Sequence, residues 1–120
     1  MQPEKIIQNQ ILAYLKARNI FSFYVKTMGT YDVKRRRFRS PGAWYMKGVS
    51  DILGLLPDGR FIAIEVKTKT GRVSPEQKVF LDNITRNKGI ALVARSLEDV
   101  ERLLGEHEAD TTSKKSVCIS

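Results

Sequence analysis

Cysteine is nearly missing from this chain: Cys118 is the single one in 120 residues. One thiol closes no intramolecular disulfide and supplies no cysteine set for a metal, which points to a reducing compartment. Histidine is as scarce; His107 stands alone in a polar C-terminal stretch and takes no role. No apolar run approaches a membrane span and the N-terminus has no signal-peptide core, so the chain reads as soluble and cytoplasmic, with no membrane partner. There is no internal repeat and no sign of a second domain. Acidic residues are also short, 13 against 21 Lys+Arg, which leaves a net charge of +8 and a sequence pI near 9.8. That balance favours a polyanionic partner, a nucleic acid or an acidic membrane surface.

What is present divides into a domain over residues 1–105 and a polar tail over 106–120. Residues 3–18 predict an amphipathic helix, with Ile7, Ile11, Tyr14, Leu15 and Arg18 at helical spacing and Pro3 in the first turn. Glu4 falls on the apolar face, either as a first-turn charge favoured by the helix dipole or as an inward-pointing functional group. The aromatic and β-branched run 21–26 suits a strand. Residues 27–47 show no periodicity, and a loop of that length in a compact domain usually has a task. Between Lys26 and Lys47 stand seven basic residues (Lys26, Lys34, Arg35, Arg36, Arg37, Arg39 and Lys47) against one acid, Asp32, which concentrates +6 of the chain's charge there. Phe38, Trp44 and Tyr45 are interleaved with these charges and suit stacking on bases, which favours nucleic acid over a merely solvated loop.

Residues 48–67, GVSDILGLLPDGRFIAIEVK, predict a β-hairpin turning at Pro57-Asp58-Gly59. Ile62, Ile64 and Val66 alternate into a core, while Glu65 and Lys67 share the opposite face. Ser74-Pro75-Glu76-Gln77 is a helix start with the pattern of a capping box, and the helix runs to about Lys88, where Gly89 ends it. Residues 90–94 predict a short buried strand, and Ser96 opens a last helix with a stripe of Leu97, Val100, Leu103 and Leu104. The strand, helix and strand between Phe61 and Ala94 predict a right-handed parallel crossover. The fold expected is α/β, a small mixed β-sheet flanked by helices.

Asp51 at the entry of the hairpin and Glu65 and Lys67 at its exit have no packing reason to gather at one end. Two carboxylates, with the backbone carbonyl of Val66 on the same edge, suit a hard divalent cation such as magnesium. Lys67 is placed to orient or deprotonate a water, or to stabilise charge on a phosphate under attack. A surface strand pair beside an ordinary turn acid is the bland alternative. The clustering, the adjoining basic loop and Gly48, which permits close approach of backbone or ligand, favour a site.

Gly48-Val49-Ser50-Asp51, thirteen further residues and then Glu65-Val66-Lys67 resemble the signature of the PD-(D/E)XK nuclease superfamily. The N-terminal helix bearing Glu4, the phrase IEVKTKTGRVSPEQ and the closing GIALVARSLEDVERLL resemble the VRR-NUC family, the virus-type replication-repair nucleases, in its stand-alone form. The resemblance implies a restriction-endonuclease-like core in which Asp51, Glu65, the Val66 carbonyl and Glu4 attend Mg2+ or Mn2+. Lys67 would be the catalytic lysine, and Gln77 a site residue on the helix after the strand, alongside its capping role. Ser50 departs from the proline of the superfamily pattern, which implies altered turn geometry rather than lost activity. Members act on branched or flapped DNA, so a Holliday-junction-resolvase-like homodimer is expected, since paired incisions need two sites. Lys34, Arg35, Arg36, Arg37, Arg39, Lys47, Lys69 and Arg72 are the candidate DNA contacts. A non-catalytic nucleic-acid-binding module on the same fold, and a flap or restriction-type nuclease, are the alternatives.

Overall fold

The computed structural model describes residues 3–25, 31–32, 37–38 and 46–106. In chain order these form α1 (Glu4–Ala17), β1 (Phe21–Tyr24), β2 (Tyr31–Asp32), β3 (Arg37–Phe38), β4 (Ile52–Leu55), β5 (Phe61–Val66), α2 (Pro75–Arg86) and β6 (Ile90–Ala94). A further helix, α3, spans 97–106. The main sheet has the order β1-β4-β5-β6, antiparallel at its first two pairings and parallel between β5 and β6. The expected mixed α/β architecture and the parallel crossover are both present. The two-residue strands β2 and β3 pair antiparallel inside the stretch that reads as loop. Most of the basic run (Lys34, Arg35, Arg36 and Arg39, with Trp44 and Tyr45) and the tail beyond residue 106 lie outside the described residues.

The sheet separates two hydrophobic layers. On one face, Ile52, Ile62, Ile64, Val66, Ile90 and Leu92 pack with Ile7, Ile11 and Leu15 of α1 and with Val100 and Leu104 of α3. Each of these large aliphatic side chains contributes roughly 1.5–3 kcal/mol by leaving water. On the other face, Phe80 and Leu81 of α2 cover Ala63, with Leu53, Ala91 and Val93 at the margin. β5 is therefore buried on both faces, which is why Glu65, on the Ala63 side, is carried into the interior.

Local signals set the element ends. At the hairpin tip the Gly59 amide donates to the Leu56 carbonyl at 2.8 Å, and the Asp58 carboxylate accepts from the Arg60 amide and guanidinium. Gly59 supplies the positive φ of 93° that closes the turn. At the end of α2 the left-handed residue is Lys88, φ 70°, and the Gly89 amide then donates back to the Ile84 carbonyl at 2.8 Å.

Candidate active site

The hairpin register pairs Ile52 with Ile64, and one step further sets Asp51 opposite Glu65. Asp51 is half-buried where the chain enters β4. Its own carbonyl accepts from the Val25 amide at 2.8 Å, and its Oδ2 accepts from the Val66 amide at 2.8 Å. The residue is thus tied to both neighbouring strands. Lys67 follows β5, held by its amide donating to the Ala94 carbonyl at 2.9 Å. Its Nζ lies 3.6 Å from Glu65 Oε2, with only 13% of the side chain exposed.

Gln77 joins α2 to this pair. Its Oε1 accepts from the Ser74 amide at 2.9 Å while its own amide donates to Ser74 Oγ at 3.1 Å, the two halves of a capping box. The same side chain donates from Nε2 to Glu65 Oε2 at 3.0 Å. One amide therefore closes the helix start and grips the buried carboxyl. Gln77→Ala should remove both bonds and cost about 1–2 kcal/mol in a denaturant titration. Gln77→Glu keeps an acceptor for the cap but sets a third carboxyl against Glu65 and Asp51. At neutral pH it should cost at least as much stability as Gln77→Ala, and cleavage should be lost with it.

Gln77 and Lys67 both approach Oε2 of Glu65. Oε1 is buried and has no hydrogen-bond partner among the described residues. Burial, then the like charge of Asp51 and a hydrogen bond shared with its carboxyl, push the Glu65 carboxyl up to about 8; the Lys67 ammonium pulls the other way without offsetting them. A carboxyl in this setting keeps its proton through neutral pH, and a ligand that supplies positive charge would take the proton's place. Two adjacent carboxyls, one with an idle oxygen, form a donor set suited to a hard divalent cation. Among the described residues no third acid, histidine or cysteine closes a cluster with them. Glu4 is exposed in the first turn of α1.

Gly48 has φ 83° and no space for a side chain: a Cβ there would collide with the Glu76 carbonyl group and stand 2.7 Å from the Gln77 amide nitrogen. The close approach expected at this glycine is therefore to the backbone of α2. Ser50, in the proline position of the superfamily pattern, is fully buried, and its hydroxyl lacks a partner among the described residues. Of the candidate DNA contacts, Lys47, Lys69 and Arg72 are exposed in the segments that flank the hairpin, and Arg37 belongs to β3. Arg95, within the stretch GIALVARSLEDVERLL but given no role there, closes on the segment after Lys67.

The family model of the VRR-NUC domain matches residues 43–98. The match takes in Asp51, Glu65, Val66, Lys67 and Gln77 and does not extend to Glu4. No curated protein and no solved structure matches the chain. The matched stretch, the α/β core around it and the acid-acid-lysine end of the hairpin agree with a VRR-NUC domain over residues 43–98, which implies a nuclease of the PD-(D/E)XK type.

Proposed function

We propose that this chain is a magnesium- or manganese-dependent endodeoxyribonuclease that hydrolyses phosphodiester bonds in branched DNA, as a homodimer resembling a Holliday-junction resolvase. The observation that carries the reading is the idle buried Oε1 of Glu65 beside Asp51, with Lys67 at the same carboxyl. Asp51, Glu65 and the Val66 carbonyl would hold the ion. A bound divalent ion supplies charge stabilisation for the phosphate under attack and lowers the pKa of a bound water.

The chain's own groups do the rest. Asp51 is fixed by the Val66 amide, so it presents its other oxygen without a search through rotamers. Gln77 holds Glu65 by Oε2 and leaves Oε1 for the ion. Lys67 holds its ammonium where it can orient the attacking water or balance charge on the scissile phosphate. Lys34, Arg35, Arg36, Arg37, Arg39, Lys47, Lys69 and Arg72 engage the phosphate backbone, which selects for shape rather than sequence. Two incisions in opposite strands require two such sites, and a symmetric pair of chains is the simplest way to present them.

A cleavage panel tests the reading. Labelled four-way junction, flap and linear duplex are incubated with magnesium, manganese or EDTA, and the protein's mass is followed by sedimentation. Metal-dependent cutting with preference for the junction, by a dimer, is expected. Tight binding with no cutting of any DNA would instead favour the non-catalytic module. Replacing the arginines and lysine of 34–39 by glutamine should flatten the salt dependence of binding, by about 0.9 in the log–log slope for each phosphate no longer neutralised.

A further inference from the structure

Arg95, the first residue after β6, has no part in the chemistry above. Its Nη1 donates to the carbonyl oxygens of Thr68 at 2.6 Å, Gly71 at 2.7 Å and Lys69 at 3.3 Å. All three acceptors belong to the connection between β5 and α2, which begins directly after Lys67. Parallel pairing brings the arginine there, because the Lys67 amide bonds to the carbonyl of Ala94. The Arg95 backbone is itself anchored, its amide donating to Asp99 Oδ2 at 2.9 Å.

The connection folds back on Lys67. The Gly71 amide donates to the Thr68 carbonyl at 3.2 Å, and a Cβ built on Gly71 would stand 3.4 Å from Lys67 Cδ and 3.5 Å from its Cβ. The turn thus runs beside the aliphatic stem of the lysine, with about a methyl's width between them at Gly71. A lysine stem is flexible and its ammonium a point charge, so a backbone segment fixed beside it limits where the charge rests. The carbonyls of a short polar turn have no reason to converge without a cation among them.

We propose that Arg95 is a positioning residue for Lys67: by gathering the carbonyls of residues 68, 69 and 71 it holds the turn against the lysine stem and keeps the ammonium at Glu65. The role rests on the reading of Lys67 as the lysine of phosphodiester hydrolysis. The same clamp fixes the backbone that carries the exposed Lys69 and Arg72.

The three oxygens meet at one nitrogen, and an ammonium has three protons to give, so lysine can fill the place of arginine while an apolar isostere cannot. Wild type, Arg95→Lys and Arg95→Met are compared in single-turnover cleavage at saturating DNA with manganese, and in DNA binding with EDTA. Trypsin digestion under conditions where circular dichroism shows each protein folded follows the bonds after Lys69 and Arg72. Arg95→Met should cut about tenfold or more slowly even at saturating DNA, whatever affinity it loses through Lys69 and Arg72, and Arg95→Lys should restore most of the rate. The methionine variant should also be nicked by trypsin after Lys69 or Arg72 where wild type resists. If the methionine variant does not fold, Arg95→Gln, which keeps one donor group, replaces it in every arm.

A wild-type rate in the methionine variant, or unchanged trypsin resistance, would overturn the proposal. So would a loss confined to DNA affinity with the saturating rate intact, which would make Arg95 a phosphate ligand. If wild type binds DNA and cuts none, the nuclease reading fails, and the trypsin comparison still decides whether Arg95 holds the turn.

Discussion

Glu65→Gln is expected to reduce metal-dependent cleavage by about a thousandfold or more while leaving a folded protein that is more stable than wild type without metal at pH 8. The two effects have one cause. Glutamine keeps the shape of the side chain and offers little to a cation, so the reaction loses a ligand. In the metal-free protein, however, the same carboxyl is buried among groups that disfavour its charge. Its pKa rises from 4.5 to about 8 in the folded chain. Between those values the folded state holds a proton that the unfolded state has released, so stability falls as pH rises through the window and the full loss is reached above it. The penalty for this buried group is on the order of a few kcal/mol. Thermal melts with EDTA from pH 5 to 9 should slope downward for wild type and run flatter for Glu65→Gln. Magnesium or manganese should raise the wild-type melting temperature at pH 8 and leave the variant unmoved. A variant as pH-sensitive and metal-responsive as wild type would remove the physical basis for the site.

Gly48→Ala should be among the most damaging single methyls at the described glycines. The residue sits at φ 83°, a conformation alanine adopts with strain, and the added carbon would strike the Glu76 carbonyl in the first turn of α2. Neither partner can yield cheaply, since both are backbone. A loss of about 2–4 kcal/mol is expected in urea unfolding. The displacement would also part Gln77 from Glu65 and disturb Asp51, three residues on, so activity should fall even below the melting temperature. Gly59→Ala is the control. It has a similar φ of 93° with open space around the added carbon, so it carries the strain without the collision and should cost only about 1 kcal/mol.

The elements with strong local signals could be read directly from the chain. The stripe Ile7, Ile11, Leu15, the Pro57-Asp58-Gly59 turn and the Ser74–Gln77 capping box each rest on interactions that spacing makes visible, and each takes the expected form. The pairing of Asp51 with Glu65 was legible one step further on, because a hairpin turn fixes its register. What could not be read depends on where α2 lies over the sheet. That placement carries the Gln77 amide to Glu65 and makes Glu76 the neighbour of Gly48. Spacing alone shows that Gln77 caps its helix and that Gly48 needs room, without naming what each one meets.

Arg95 lies within the GIALVARSLEDVERLL stretch, yet nothing in the sequence assigns it a role. Its partners are backbone carbonyls 24 to 27 residues away, and a carbonyl is the same whichever side chain accompanies it. The strands β2 and β3 escaped because two-residue strands are too short to show alternation. The depth of Glu65 was also understated by the sequence. Alternation gave β5 one buried face, and the packing of α2 gives it two.

The most direct test is cleavage of one labelled DNA by wild type and by Asp51→Asn, side by side, with manganese and with EDTA. Wild type should cut only with the metal, and Asp51→Asn should bind the DNA as tightly and leave it intact. Cutting by Asp51→Asn at the wild-type rate, or binding by wild type with no cutting when the metal is present, would contradict the assignment of a metal-dependent nuclease site to Asp51, Glu65 and Lys67.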